Sequence, residues 1–390
     1  MTHPLISADL HMTDPSNLFI DRMPKNLRDR AIRIEYSSAT EAIIRLPGLP
    51  NIIGSRDFPN KHWDPFDPAS DPVAAAIKDL DEDGVAAALL FPNAGLLAMF
   101  QPDHEVALAH ARAFNDYVAE NYSPHSDRFL TAAGIPLTDI DDALAEIERV
   151  ARRGYRALLL PSGPPKPYDS PEYEPIWSAA SANGMVIAIH QGTGETLGDP
   201  LLPKSEAGAL ARAMRFRVFV GDPFKLRIME LVGGGVLERH PNLHFIFVES
   251  NAFWLAGLMA AMDDAFVPGV GVKPDGGVAF TTNDKGEPNW VTFFDNKWPY
   301  PLLPSDYVRR QVHASFQQDL VAIANRHYTG VDCLVWGSDY PHPEGTNLQS
   351  RQSVAFQFEG VPEAERAAMT GGTLAKLFKF EAAAVDAGAS

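Results

Sequence analysis

Cysteine is almost absent from this sequence. The chain of 390 residues contains one, Cys333, so no disulfide can form within it and nothing indicates an oxidising environment. Cys333 lies in the apolar run CLVWG, which is typical of a buried strand. We therefore expect a protein of a reducing compartment that folds without covalent cross-links.

Positive charge and long apolar runs are also scarce. Lys and Arg number 33 against 50 Asp and Glu, which gives a formal net charge of −17. This charge repels nucleic acids and anionic membrane surfaces, so we expect neither as a partner. No run approaches the length that crosses a bilayer, and the N-terminal MTHPLISADLHM lacks the basic and apolar regions of a signal peptide. The sequence predicts a cytoplasmic protein whose partner is a small-molecule substrate.

Hydrophobic residues make up 45% of the chain and charged residues 21%, which is typical of a globular protein. The apolar residues collect in eight short runs rich in Val, Ile and Leu, separated by turn residues and by stretches with helical periodicity. The eight runs are residues 5–12, 85–92, 130–137, 155–162, 185–192, 243–250, 312–316 and 333–342. The clearest helical stretches are residues 71–83, 103–122, 139–154 and 171–184. Eight strands that alternate with helices predict the α/β class and a (β/α)₈ TIM barrel.

A doubly wound open sheet is the alternative that the same alternation allows. We predict one domain over residues 1–390, with long inserted loops at about 13–70 and 265–305. The second insert is rich in aromatic residues, which favours a substrate cover or a contact in a homo-oligomer, such as a dimer. A surface loop that packs on itself is the alternative.

Polar residues follow the predicted strands at their C-terminal ends. They include His11, Asn93, His190, Glu249 and Asp339. Active sites of TIM barrels lie at this end of the strands, so we expect these side chains to meet at the mouth of the barrel. The polar residues therefore predict both the place of the site and its chemistry.

Four of the strand-end residues have the chemistry of metal ligands. Asp9 and His11 alternate along the first strand and share a face, while His190 and Asp339 end the fifth and eighth strands. Two imidazoles and two carboxylates suit one divalent ion, Zn²⁺ above all, and tolerate Mn²⁺. Each residue alone has a structural alternative: a hydrogen-bonded pair, a core histidine or a turn cap. Their joint occurrence predicts a metal site.

Five sequence blocks resemble a known family: SADLH, FNDYVAE, AIHQGTG, HPNLHFIFVESN and WGSDYPHPEGT. They resemble the amidohydrolase superfamily, specifically its amidohydrolase-2 branch, which includes aminocarboxymuconate-semialdehyde decarboxylase-like enzymes. The resemblance covers essentially the whole chain. It implies a mononuclear metal held at Asp9, His11, His190 and Asp339.

The sequence departs from this family pattern at two ligand-related positions. Asp9 stands where His is commoner, which slightly favours harder ions. Glu249 stands where many relatives carry a catalytic histidine, so the role of that histidine is not carried over. The fourth strand ends in LLLPS, and Lys166 lies further out. The carbamylated lysine that bridges two metals in binuclear relatives is therefore not expected.

The family scaffold supports two reaction types. A metal ion lowers the pKa of bound water from 15.7 to about 7 and can polarise a carbonyl, so we predict a hydrolase of a small, possibly aromatic, substrate. Asp339 would be the general base and then the general acid, with Glu249 or His342 assisting the leaving group. The alternative is a non-oxidative decarboxylase of an aromatic or unsaturated carboxylic acid on the same metal site, in which an acid protonates the carbon that loses CO₂. The second alternative is an inactive ligand-binding barrel.

Several residues near the strand ends are candidate substrate contacts. Asn93, His313 and Trp254 are predicted to contact substrate, although His313 and Trp254 have core packing as the alternative. His342 follows Asp339 closely and is also a candidate partner of that carboxylate. His110, on a predicted helix, is expected at the solvated surface.

A carboxylate substrate would need a cation in the pocket. The candidates are Arg45, Arg56, Arg215 and Arg217. A nucleotide-binding α/β protein is a further alternative, but it needs a glycine-rich turn between a strand and a helix. The run VGGGV at 232–236 precedes ERHPN instead, which does not favour it.

Overall fold

One parallel sheet of eight strands forms the centre of the protein. The computed structural model describes residues 3–38, 41–47, 52–55, 61–194, 214, 217–266, 277–282, 285–292 and 298–380. We number the strands of the sheet β1 (Leu5–His11), β2 (Val85–Phe91), β3 (Phe129–Gly134), β4 (Ala157–Pro161), β5 (Val186–His190), β6 (Phe245–Val248), β7 (Val312–Phe316) and β8 (Leu334–Trp336). Seven lie within predicted runs and β3 begins one residue before its run, so the eight predicted strands are confirmed.

The sheet closes on itself and forms a barrel. Each strand pairs in parallel with the next one along the chain, from β1 to β8. The last and first strands meet through a parallel bridge between Leu10 and Tyr340. The amide of His11 donates to the carbonyl of Tyr340 at 2.7 Å, and the amide of Asp339 donates to the carbonyl of Asp9 at 3.1 Å. The predicted TIM barrel is confirmed, and the open doubly wound alternative is wrong.

Helices surround the barrel, as in other folds of this class. The α-helices are Leu18–Arg22, Pro72–Asp83, Gly95–Met99, His104–Asn121, Ile140–Arg152, Glu174–Ala182, Asp222–Gly233, Val236–Arg239, Leu255–Asp264, Pro304–Gln311, Leu320–Ala324, Arg326–Thr329, Ser350–Gln357, Glu363–Ala367 and Thr373–Phe378. The 3₁₀ helices of the described residues are Lys25–Arg30, Ser123–His125, Pro171–Tyr173 and Val331–Cys333, and Ala368–Gly372 is a π-helix. None of the helices in the described part of the chain has the length and apolar character that a membrane crossing needs.

Local sequence signals explain where the predicted helices begin. Asp71, Asp103 and Asp139 each precede a helix and accept a hydrogen bond from a backbone amide of its first turn. Such a side chain satisfies an amide that has no partner within the helix. The first of these helices ends at Gly84, whose φ of 75° is a conformation that glycine adopts readily. The predicted boundaries at 71–83, 103–122 and 139–154 agree with these caps to within two residues.

The two predicted inserts contain strands of their own. Within 13–70, an antiparallel sheet of three strands is formed by Arg33–Ser38, Glu41–Arg45 and Ile52–Ser55. Within 265–305, the strands Gly277–Thr282 and Pro288–Thr292 form an antiparallel pair.

The aromatic residues of the second insert are placed in part. Trp298 stacks edge-on against Tyr300 with ring centroids 5.0 Å apart, and both rings contact Tyr307 of an outer helix. Phe293 and Phe294 lie outside the described residues. The rings that are described thus pack on the outside of the barrel. A role of this insert as a substrate cover or dimer contact stays a prediction, as does the single domain over 1–390.

His110 is buried, contrary to the prediction that it lies at the solvated surface. Only 1% of it is exposed, because the first insert covers its face of the helix. The amide of Ile32 donates to Nε2 at 3.0 Å, so the proton resides on Nδ1, which donates to the carbonyl of Val106 at 2.7 Å. Burial lowers the pKa of His110 to about 4. The neutral ring therefore links the insert to the barrel.

This link predicts a pH-dependent stability. Between pH about 6.5 and 4 the unfolded chain binds a proton at His110 that the folded chain does not, so the free energy of unfolding falls as the pH falls. At pH 5 the loss due to this residue should be about 2 kcal/mol relative to pH 7. Urea unfolding of the wild type and of His110→Gln at both pH values measures it. The variant should lose less stability on acidification, and equal losses in the two proteins would contradict the prediction.

Candidate metal centre

The ends of the strands bring the predicted ligands to one place. Asp9 and His11 end β1 on one face, His190 is the last residue of β5, Glu249 directly follows β6, and Asp339 follows β8. Because all eight strands are parallel, these ends lie at the same mouth of the barrel. Each of the five residues is 9% exposed or less. The chain has thus buried three carboxylates and two imidazoles together.

The distances within this cluster are those of groups around one ion. The Nε2 atoms of His11 and His190 are 3.2 Å apart. His11 Nε2 lies 3.5 Å from an Asp9 oxygen and 3.4 Å from an Asp339 oxygen, while His190 Nε2 lies 3.6 Å from Asp9. Ligand atoms of Asp9, His11, His190 and Glu249 all lie within 4.8 Å of one another.

The two histidines present lone pairs to each other. Nδ1 of His11 is 2.8 Å from the carbonyl of Pro92, and Nδ1 of His190 is 2.9 Å from the carbonyl of Gln191. A carbonyl only accepts, so both Nδ1 atoms carry the proton and both Nε2 atoms carry a lone pair. Burial lowers the pKa of both rings, that of His190 to about 4, and keeps them neutral. Two facing lone pairs are complementary to a cation between them.

Two of the carboxylates, Asp9 and Glu249, have no Lys or Arg partner among the described residues. Neither oxygen of Asp9, which is 1% exposed, has a hydrogen-bond donor among the described residues. Burial, together with the charge of Asp339, raises the pKa of Asp9 to about 8. Burial and the charges of Asp339 and Asp9 raise the pKa of Glu249 well above its usual range. A buried group without a partner is costly, and a divalent ion bound here would remove that cost. The residues fit a divalent metal.

Asp339 and His342 form a hydrogen-bonded pair at the edge of the cluster. Asp339 Oδ1 is 2.9 Å from His342 Nδ1, and Asp339 Oδ2 accepts a hydrogen bond from Gln317 at 3.0 Å. Burial alone would lower the pKa of His342, but the charge and hydrogen bond of Asp339 outweigh it and raise the pKa. The Nε2 of His342 points towards Asn93, 3.5 Å from its oxygen. Asn93 and His342 therefore lie together at the rim of the cluster.

The backbone holds two of these residues in an uncommon conformation. Glu249 and Asp339 both have φ of 56°, a left-handed conformation that residues other than glycine rarely adopt. The amide of Glu249 donates to Ser315 Oγ at 2.8 Å and so fixes the turn. Gly337 lies so close to β1 that an added Cβ would be 2.9 Å from Cβ of Asp9. These features aim the side chains inward.

The structure does not bring every predicted residue to the cluster. His313 is the second residue of β7, at the opposite end of the barrel, where its ring contacts His244 and the carbonyl of Asp332. The geometry therefore gives no support to its predicted contact with substrate. Sequence periodicity predicts that His313 faces the inside of the barrel, but it does not tell at which end of the barrel the side chain lies. Trp254 donates to the carbonyl of Ser250 at 2.9 Å, and its substrate contact stays a prediction.

The remaining predicted alternatives are placed as follows. Arg45 forms an ion pair of 2.8 Å with Glu35 in the first insert, and Arg217 is exposed. Arg56 and Arg215 lie outside the described residues. The run 232–236 joins two helices rather than a strand and a helix, so it does not form the turn that the nucleotide-binding alternative needs.

Gln317, which donates a hydrogen bond to Asp339, is not among the residues predicted from the sequence. Its position could have indicated it, because it directly follows β7 and so lies at the mouth of the barrel. The structure also contains a cavity of about 370 Å³ beside the ends of β3 to β5. It is lined by Phe100, Pro102, Pro136, Leu137, Thr138, Pro161, Gly163, Pro164, Pro165 and Gly194. Its volume lies within the range of small-molecule sites.

Comparison with protein families agrees with the fold and the cluster. A family model described as amidohydrolase matches residues 6–380. This chain belongs to the amidohydrolase family. The resemblance inferred from the five sequence blocks is thereby confirmed.

Relatives of this amidohydrolase include proteins named as decarboxylases. A gamma-resorcylate decarboxylase of Rhizobium sp. strain MTP-10005 is 27% identical over 190 residues, which are 44% of this chain and 53% of that protein. The chain thus matches about half the length of this relative. The 5-carboxyvanillate decarboxylase of Sphingomonas paucimobilis has the same fold, with a TM-score of 0.62 and 20% identity over 97% of this chain and 100% of that one.

A third relative was solved with a metal. The dihydroxybenzoic acid decarboxylase of Polaromonas sp. JS666 contains bound manganese and an inhibitor, 2-nitroresorcinol. Its TM-score is 0.59 at 19% identity, over 97% of each chain. At this identity the likeness shows the fold that the two proteins share.

The cluster predicts metal binding that depends on its histidines. Purified protein should hold about one divalent ion per chain, and His190→Ala should lose it, because the variant removes one of two facing nitrogen ligands. Elemental analysis after gel filtration measures the content. His125→Ala, at an exposed position, is the matched control and should keep the ion. Full metal content in His190→Ala would contradict the site.

Proposed function

We propose that this protein is a metal-dependent decarboxylase of a hydroxylated aromatic carboxylic acid. The observation that carries the proposal is the cluster of Asp9, His11, His190 and Asp339, with its lone pairs and orphaned carboxylate oxygens converging on one point. The named decarboxylases among the relatives favour this alternative over the hydrolase that the sequence predicts. The hydrolase is the second candidate, since the same cluster suits a metal-activated water.

The proposed ligands would hold one divalent ion at the mouth of the barrel. Such an ion, when bound, supplies positive charge that attracts the carboxylate and a neighbouring hydroxyl of the substrate. Zn²⁺ fits the two imidazoles, and Mn²⁺ fits the carboxylates and is the ion reported in the Polaromonas relative. Asp9, His11 and His190 would orient the substrate indirectly, through the ion that they hold.

His342 is the proposed acid of the reaction. Its Nδ1 hydrogen-bonds to Asp339 at 2.9 Å, which orients the ring and leaves Nε2 facing Asn93 at the rim. A proton held at Nε2 can pass to the ring carbon that bears the carboxylate. The bond between that carbon and the carboxylate then breaks, its electron pair returns to the aromatic ring, and CO₂ leaves. Asn93 is proposed to contact the substrate beside this proton.

The assembly and the compartment remain proposals of the same kind. We propose a homodimer, because the relatives' fold and the aromatic second insert suggest contacts between subunits. The single buried cysteine supports a cytoplasmic location. Neither proposal affects the chemistry of the cluster.

An assay with paired substrates tests the reaction type. Gamma-resorcylate and 5-carboxyvanillate, the acids in the names of the relatives, are compared with their methyl esters and amides. Release of CO₂ from the acids, with one deuterium in the ring when the solvent is D₂O, is the expected result. Hydrolysis of the esters or amides without loss of CO₂ would support the hydrolase instead. A metal-loaded protein that performs neither reaction would contradict both and favour the ligand-binding barrel.

Replacement of Asp339 tests the acid pair. Asp339→Asn keeps the volume but removes the charge that orients His342, so kcat should fall by at least about 100-fold, the typical contribution of acid–base catalysis. Thermal unfolding should stay cooperative. Asp306→Asn, an exposed substitution of the same type, should leave kcat unchanged. Activity near that of the wild type in Asp339→Asn would remove Asp339 from the proposed mechanism.

A further inference from the structure

Glu249 has the geometry of a metal ligand. Its Oε2 lies 3.8 Å from Nε2 of His190, and its ligand atom lies within 4.8 Å of those of Asp9, His11 and His190. Two atoms bound to one ion at about 2.2 Å can be at most about 4.4 Å apart. The four groups thus need only small side-chain adjustments to surround one ion.

The surroundings of Glu249 also require a cation. The residue is 9% exposed, and no Lys or Arg of the described residues forms an ion pair with it. The neighbouring side chain of Gln191 lowers the pKa of Glu249, but it is uncharged and does not neutralise the carboxylate. A buried carboxylate with two further carboxylates nearby, Asp9 and Asp339, needs a positive partner. The ion proposed for this centre would supply that positive charge.

We propose that Glu249 binds the metal directly, as an added ligand beside Asp9, His11, His190 and Asp339, rather than acting as a catalytic acid or base. This inference rests on the proposed metal-dependent function and deepens it. The turn after β6, fixed by the hydrogen bond from the Glu249 amide to Ser315, carries the ligand. His342 then remains as the acid.

The added ligand changes which metal the centre prefers. Three carboxylates and two imidazoles make an oxygen-rich set of five, whereas Zn²⁺ favours four ligands with more nitrogen or sulfur. Carboxylate oxygens suit Mn²⁺ better. We therefore expect the preference for Zn²⁺ over Mn²⁺ to be smaller in the wild type than in a variant with nitrogen at position 249.

Metal titration of the full-length protein tests ligation without any assay of activity. Chelator-treated wild type, Glu249→Gln and Glu344→Gln are titrated with Mn²⁺, and free Mn²⁺ is followed by its electron paramagnetic resonance signal. Glu344 is the comparison residue, because it carries the same charge and its ligand atom lies within 4.8 Å of those of Glu249 and Asp339, but its side chain is exposed to solvent. The affinity of Glu249→Gln should fall at least about tenfold, since loss of an outer partner of a ligand already costs about 10–100-fold. Glu344→Gln should change it less than about threefold.

The outcomes separate this inference from the proposed function. Wild-type affinity in a folded Glu249→Gln, or an equal loss in Glu344→Gln, would overturn the inference and leave the decarboxylase proposal intact. A wild type that binds no Mn²⁺ or Zn²⁺ would overturn both. If Glu249→Gln does not fold by circular dichroism, Glu249→His decides. Its ratio of Zn²⁺ to Mn²⁺ affinity should rise at least about tenfold above the wild-type ratio, and an unchanged ratio would overturn the inference.

Discussion

The hydrogen bonds that close the barrel between β8 and β1 are the interaction on which the centre depends. The amide of Asp339 donates to the carbonyl of Asp9, and the amide of His11 donates to the carbonyl of Tyr340. Gly337 has no Cβ, and one added there would lie only 2.9 Å from Cβ of Asp9. The backbone amide of Ser338 donates a hydrogen bond of 2.8 Å to Ser7 Oγ. The closing bonds therefore set the distances within the ligand set directly.

Closure has an electrostatic consequence. It places Asp339 near Asp9 in a region without water-exposed surface, and Glu249 of β6 adds a third carboxylate. Such a group of like charges is unfavourable unless a cation binds. The fold accepts this cost at the mouth of the barrel, and a buried group of like charges is typical of a functional site. Stability and metal affinity are thus coupled at the centre.

The acid pair is separate from the facing imidazoles. His11 and His190 direct their Nδ1 protons to backbone carbonyls and so have only lone pairs for the centre. His342 instead directs Nδ1 to Asp339 and keeps Nε2 at the rim. The hydrogen bond made by one ring nitrogen thus decides what the other can do. In the proposed mechanism the three histidines of this cluster would thereby serve two purposes, metal binding and proton transfer.

The sequence by itself determined the strands, the barrel and the four predicted ligands. Apolar runs and turn residues are local features of the sequence. A parallel barrel brings the C-terminal ends of all its strands to one mouth, so the predicted strands also predict where the ligands meet. Tertiary structure alone decided how close Glu249 comes to the predicted ligands, that His313 lies at the opposite end, and that His110 is buried under the first insert. These outcomes depend on where along a strand a residue lies relative to its neighbours, and on contacts between segments far apart in the chain. No local pattern encodes either.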